Sequence, residues 1–248
     1  MCARGDASTR YVLSEVTRPD DSRLVALSAL LERTFADPNS VLGLERIQQF
    51  LADETAPRRF CVLTVEEHNA GVVGGSIFSY VPYTACGFSE YLVLAPEYRG
   101  LGLGRKLFDR RKAILDASAN GHCRGLFIEA DDPERTPPEM LEAERESSLD
   151  ASARLRLFAH LGFKRVAITY VQPPLGAGKV AVDYLDLLFA PWRSNPDAVA
   201  VEWILGTLAP IWTGWSPQTA ATHLEQLREA SGSARFASLL PLSSGAAE

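Results

Sequence analysis

Three glycines, Gly100, Gly102 and Gly104, follow the apolar run 91–95 and Pro96, and they open a segment whose apolar residues recur at helical spacing from Leu103. Glycine at these positions removes the side chains that would hold a ligand away from the main chain. The first turn of a helix adds unpaired N–H groups at the positive end of its dipole. Together these features suit a phosphate-bearing ligand, a pyrophosphate in particular. Spacing excludes two common versions of such a turn. A dinucleotide fingerprint starting at Gly100 needs Gly or Ala at position 105, where Arg105 stands, and no Gly-x-x-x-x-Gly-Lys-Ser/Thr motif occurs in the chain. Two carboxylates belong to the same region: Glu90 in the strand that leads to the glycines, and Glu129 at the end of the next apolar run, GLFIEA. Strand alternation puts Glu90 on the side of Leu92 and Leu94. A mostly apolar strand pair raises the pKa of a carboxyl it encloses towards neutrality, where that group can accept and return a proton.

The rest of the chain narrows what such a site can serve. Its 248 residues are 46% hydrophobic and 23% charged, and the mean hydropathy is -0.03, which excludes a disordered or fibrous protein. No apolar run reaches the roughly 18 to 20 residues of a membrane helix, and the opening MCARGDASTR lacks the apolar core of a signal peptide. The expectation is a cytoplasmic protein without a membrane partner. Cys2, Cys61, Cys86 and Cys123 stand far apart, with no paired spacing and no histidine at a ligand offset. Neither a disulfide framework nor a metal site is expected. A net charge of -6 argues against nucleic acid, which calls for a basic face.

The elements that must position these residues follow from periodicity. RYVLSEV (10–16) reads as a strand. Leu24, Leu27, Leu30, Leu31 and Phe35 mark a first helix, and Leu44, Ile47 and Leu51 a second. Segments 60–67 and 72–81 form a hairpin around His68-Asn69-Ala70-Gly71, and 89–95 is its third strand. A helix over 103–120, the strand 125–130 and a crossover connection between them require a parallel pair. A helix over 151–163, ended by Gly162, precedes two strands, 163–172 and 180–189, joined by the Pro/Gly loop QPPLGAGK. Residues 10–190 are expected to form the principal domain. Residues 191–248 carry all four tryptophans and two predicted helices, 196–208 and 217–230, and form a helical extension packed on that domain. The Ser/Ala/Gly-rich end is expected to fray.

Arg99, Gly102 and Gly104 supply the pattern Arg-x-x-Gly-x-Gly, and here the chain resembles the GNAT superfamily of acyl-CoA-dependent N-acyltransferases. The resemblance covers about residues 10–190 and includes the element order. It implies a mixed, mostly antiparallel central sheet with a splayed parallel strand pair, flanked by helices. It also implies acetyl-CoA as cosubstrate and an amine as acceptor, with no metal, and leaves a homodimer open. Main-chain N–H groups of Leu101, Gly102, Leu103, Gly104, Arg105 and Lys106, in the turn opened by Arg99 and Gly100, would hold the pyrophosphate. The edge of Leu92, Val93 and Leu94 would pair with the pantetheine arm. Of the basic residues Arg105, Lys106, Arg110, Arg111 and Lys112 on the helix, one or two would meet CoA phosphates.

The same resemblance implies direct transfer of acetyl to a primary amine of a small molecule or protein through a ternary complex. Glu90 stands where some members carry a general-base glutamate, and Glu129 is the second candidate. Many members place a tyrosine in a Leu-Tyr-x-x-x-Gly-Phe context to protonate the departing thiolate. Here Leu157, Phe158, Gly162 and Phe163 fill that context, so Phe158 can pack beside the cofactor but cannot donate a proton. A tyrosine from elsewhere, such as Tyr170 or Tyr184, or water would serve instead. Two alternatives stay open: a non-catalytic CoA-binding or partner-binding module, and an enzyme using a longer acyl-CoA or a carrier-protein thioester. Residues 129–150 hold nine acids and two bases. That segment is read either as an attractor for a cationic acceptor or as a solvated excursion.

Overall fold

A computed structural model describes residues 10–147 and 150–242. Cys2, the last six residues and the side chains of Glu144 and Glu146 lie outside that description. The chain begins with β1 (Tyr11–Val16), α1 (Ser22–Thr34) and α2 (Leu44–Ala52). Asp21 starts α1 by accepting the N–H of Arg23, as an N-cap aspartate should. The meander β2 (Arg59–Glu67), β3 (Gly71–Val81) and β4 (Cys86–Leu94) is antiparallel throughout. Helix α3 (Leu103–Ser118) then leads to β5 (Gly125–Asp131), which is parallel to β4.

Between β5 and α5 (Ala151–His160) the structure inserts α4 (Pro138–Ser147), so the acidic segment is not a featureless loop. Its charges are partly committed: Asp131 pairs with Arg154, Asp132 with Arg135, and Asp150 caps α5. The strand expected over 163–172 is reduced to β6 (Lys164–Val166), followed by a single bridge between Gln172 and Val182. Tyr170 and Gln172 of this segment instead donate to Glu129 of β5. β7 (Leu185–Pro191) pairs antiparallel with β5.

The extension is not purely helical. It runs β8 (Ala198–Ala200), α6 (Val201–Trp215), α7 (Ala220–Ala230) and β9 (Phe236–Pro241). The fraying expected of the end is corrected up to Pro241, because β9 pairs antiparallel with both β6 and β8. The nine strands form one sheet in the order β1-β2-β3-β4-β5-β7-β6-β9-β8. It is mixed and mostly antiparallel, with β4–β5 as its parallel pair. One apolar core lies on the face of α1, α6 and α7, with Trp212 and Trp215 buried in it; the other lies under α3 and α5. Among the described residues, no helix is long and apolar enough to cross a membrane.

Candidate active site

The site is built around a fork. β4 and β5 pair for only four residues, from Cys86 with Gly125 to Ser89 with Ile128. Beyond Ser89, β4 continues to Leu94 paired with β3 alone, so its edge towards β5 has no strand partner. Leu92 is exposed on this arm, while Val93 and Leu94 pack into the cores. At the end of the arm Gly100 and Gly102 take left-handed φ values of 73° and 77°, which favour glycine. Gly102 caps α3 without a side-chain bond. The N–H groups of Leu103, Gly104 and Arg105 therefore point out of the helix end without main-chain acceptors. The Lys106 N–H differs from expectation: it already donates to the Gly102 carbonyl, at 3.1 Å.

The side chains expected around this turn are only partly free to reach a ligand. Arg99 Nε donates to the Leu94 carbonyl at 3.2 Å, and Arg105 pairs with Asp109. Lys112 lies over the Trp192 ring. Arg111 turns inward, where its Nη1 donates to Ser89 at the foot of the fork. Burial pushes that guanidinium down to about 9, opposed by the charge of Glu90. Phe158 is partly buried against Phe163, 5.5 Å between ring centroids, on the α3 side of the sheet.

On the opposite face the two carboxylates meet. The β3–β4 register slips between Ile77 and Phe78, which leaves Glu90 as an extra residue in β4. This bulge overrides strict alternation: Glu90 does not share the side of Leu92 and Leu94 but turns to Ser79, on the face of Phe88 and Tyr91. Its Oε1 accepts from Arg58 Nη1 at 2.8 Å and from the Ser79 hydroxyl at 2.9 Å. The two charged side chains are 2% and 1% exposed. Burial pushes Glu90 up and Arg58 down, and their mutual attraction opposes both. Arg58 is held between the rings of Phe50 and Phe60. Gly214 of α6 makes room for it, since a Cβ there would stand 3.0 Å from Nη2.

Glu129 has neutral partners. The Tyr170 hydroxyl donates to its Oε1 and Gln172 Nε2 donates to its Oε2 at 2.6 Å. Burial raises its carboxyl to about 7; the two hydrogen bonds oppose this, and the charges of Glu90 and Asp131 add to it. Glu90 and Glu129 line one cavity of about 80 Å³, with Phe35, Tyr91, Tyr184 and Trp215 among its aromatic walls. Two buried acceptor atoms of cavity residues, Glu90 Oε2 and Gln172 Oε1, have no hydrogen-bond donor.

Distant segments close this cavity. The turn Pro38–Ser40 is tied to β4 by Tyr91, whose hydroxyl accepts from Leu42 N and donates to the Ser40 carbonyl. On the other arm Tyr184 donates to Asp37 at 2.7 Å, and Lys179 donates to the carbonyls of Pro38 and Val41. The extension supplies Trp215 to the wall and sets Trp212 against Tyr170, 5.9 Å between ring centroids. Arg46 ties α2 to it through the carbonyls of Gly214 and Trp215.

Sequence reasoning missed Arg58, Ser79, Gln172, Asp37 and Trp215. Gln172 left a signal: it stands two residues from Tyr170, so an extended segment puts both on one side. Arg58 and Ser79 left none, because their partner is chosen by a bulge. Among the described residues, no group of three or more His, Cys, Asp or Glu could hold a metal.

Residues 56–165 match the family model described as an acetyltransferase (GNAT) domain. Among solved structures the chain is similar to a protein described as a GNAT-family acetyltransferase from Bacteroides thetaiotaomicron. The identity is 17% and the TM-score 0.51, over 74% of this chain and 88% of that one. It is also similar to the ribosomal-protein-S18-alanine N-acetyltransferase of Escherichia coli, at 14% identity and TM-score 0.49, over 73% and 93% of the two chains. At such identities the likeness is one of fold. No curated protein sequence matches the chain. Residues 56–165 thus carry the match to a GNAT acetyltransferase domain, and the shared fold extends over about three quarters of the chain.

Proposed function

We propose that the protein transfers the acetyl group of acetyl-CoA directly to a primary amine, with Glu129 as general base. The observation that carries this reading is the pair of carboxylates at the fork. Glu90 is committed to Arg58 and Ser79, whereas Glu129 has only neutral donors and a carboxyl raised to about 7. Near neutral pH such a group is divided between its two protonation states, which suits a base that must also release its proton. Glu90 Oε2 and Gln172 Oε1 are acceptors without donors in the same cavity, and an ammonium brings three N–H groups.

In this reading the N–H groups of Leu103, Gly104 and Arg105 receive the CoA pyrophosphate, and the free edge of β4 receives the pantetheine arm. Glu129 takes a proton from the ammonium. The amine nitrogen then bonds to the thioester carbon, while a β4 main-chain N–H faces the oxyanion. Collapse breaks the C–S bond and releases CoA thiolate, and the new amide nitrogen loses its second proton to solvent. Phe158 has no proton to give, and the Tyr170 hydroxyl is engaged with Glu129, so the thiolate takes its proton from solvent. Tyr170 and Gln172 act by fixing the carboxylate. The absence of a hydroxyl at Phe158 favours a second reading, a CoA-binding module without turnover. Thiol release from acetyl-CoA across a panel of primary amines tests the first reading: an amine-dependent signal supports it. CoA binding with no release for any amine would leave the second.

A further inference from the structure

The cavity at the fork carries a second, independent feature that bears on which amines fit it. Of its four acidic residues, Glu90 is paired with Arg58 and Asp131 with Arg154. Glu129 and Asp37 have no ion-pair partner among the described residues. Glu129 is opposite Leu187 in the β5–β7 ladder, and Asp37 is held by Tyr184, from the bend that precedes β7.

Asp37 still has capacity. Its Oδ1 accepts from the N–H and side-chain amide of Asn39, and its Oδ2 accepts from Tyr184 alone. A carboxylate offers about four acceptor positions, so one remains on Oδ2. Lys179 is close enough for Asp37 to raise its pKa against the lowering effect of burial. Yet its ammonium donates to the carbonyls of Pro38 and Val41 rather than to Asp37. The same cavity is lined by Phe35, Tyr91, Tyr184 and Trp215, which suit methylene groups. Ser40, held by Tyr91, also borders this space.

We infer that the acceptor is a linear alkyl diamine, with one nitrogen at Glu129 and the unpartnered acceptor atoms of the fork, and the second, as an ammonium, on Asp37. This rests on the proposed amine transfer and narrows it. The unpartnered Oε2 of Glu90, on a side chain 1% exposed, and Oε1 of Gln172, in a residue 4% exposed, mark the reacting end independently of Glu129 and Asp37.

The test uses the full chain with acetyl-CoA and compares 1,4-diaminobutane, 1,5-diaminopentane, n-butylamine, α-N-acetyl-lysine amide and kanamycin as acceptors. A partly buried ion pair is expected to lower the KM of the diamines about tenfold below that of butylamine. Asp37→Asn keeps the oxygen that accepts from Asn39 and removes the charge. It should raise the diamine KM about tenfold and bring it level with that of butylamine. Thermal unfolding of the variant establishes that it is folded, and Asp37→Ser supplies a second neutral capping residue. Equal KM values for butylamine and the diamines in the wild-type protein overturn the inference and leave amine transfer standing. The same holds if lysine amide or kanamycin is preferred, or if Asp37→Asn affects butylamine and diamine alike. Turnover of none of the amines overturns both.

Discussion

The two sides of the fork are built on different principles. The side proposed for the cofactor is main chain: a cap without a side-chain bond, three outward N–H groups and a strand edge with no partner. The side proposed for the acceptor is side chain: Arg58, Ser79, Glu90, Glu129, Tyr170 and Gln172, brought together from separate stretches of sequence and closed by Asp37 and Trp215. A main-chain cradle recognises a constant group and is specified by a few adjacent glycines. A cavity walled by distant side chains can change its acceptor by single substitutions while the cradle stays as it is.

This division is broken most directly at Glu129. Glu129→Gln keeps the shape of the side chain and removes the base, and it is expected to lower kcat/KM near pH 7 by about a thousandfold. Calorimetric affinity for acetyl-CoA should stay within about twofold, because the cradle is elsewhere. A loss of CoA affinity equal to the loss of rate would deny that the two sides are separable. The same variant reports on the raised carboxyl. Glu129 goes from the ordinary value of 4.5 to about 7 in the folded protein. The folded state therefore prefers the protonated form, and stability is lost as pH rises through about 7. Glutamine escapes that loss. Relative to wild type, the variant should gain stability on the order of 3 kcal/mol between pH 4 and pH 9. Parallel unfolding curves at both pH values would contradict a buried carboxyl.

Arg58 tests the acceptor side from beneath. Arg58→Met leaves Glu90 buried without its cation and is expected to destabilise the fold by about 3 kcal/mol in denaturant titrations. On the cofactor side Gly104 is the cleaner of the glycines to replace. Its φ is not in the left-handed region, and a Cβ there would meet only Leu94 Cδ1, at 3.7 Å. Gly104→Val should therefore fold while its side chain blocks the cradle. The expected result is acetyl-CoA binding weakened about a hundredfold, with the unfolding midpoint changed by only a few degrees. Unchanged affinity in the folded variant would remove the phosphate cradle.

What the sequence made legible follows the same division. Gly100, Gly102 and Gly104 act through local backbone geometry, so their spacing was enough to place the turn and the helix after it. The elements that share one period along the chain, such as α1 with Leu24, Leu27 and Leu31, were legible for the same reason. Glu90 and Glu129 were visible as carboxylates in apolar strands, but their partners were not. The bulge that turns Glu90 towards Arg58 and Ser79 arises from the pairing of two strands, and no periodicity within β4 announces it. Segment 163–172 misled for a related reason: its β-rich composition is real, yet Tyr170 and Gln172 use it to reach Glu129 rather than to extend the sheet. β9 was hidden by small polar residues on both sides, and its partner β6 is itself only three residues long.

The finest prediction asks what raises Glu129, burial or its charged neighbour. Burial is the larger cause and the charge of Glu90 a lesser one. Removing Glu90 alone would confuse the answer, because Arg58 would then be a buried cation without its partner. The double variant Arg58→Met/Glu90→Gln removes both charges and leaves two neutral side chains of similar length. Replacing a buried pair in this way is much less costly than breaking it. If burial dominates, the acid limb of the kcat/KM profile, which rises as Glu129 loses its proton, should stay within about half a pH unit of 7. Its small displacement should be downward, because the negative neighbour that disfavoured ionisation is gone. A fall towards 4.5 would mean that Glu90 sets the basicity of Glu129 through its charge. The acceptor side would then work as a coupled carboxylate pair rather than as one buried base resting on a structural ion pair.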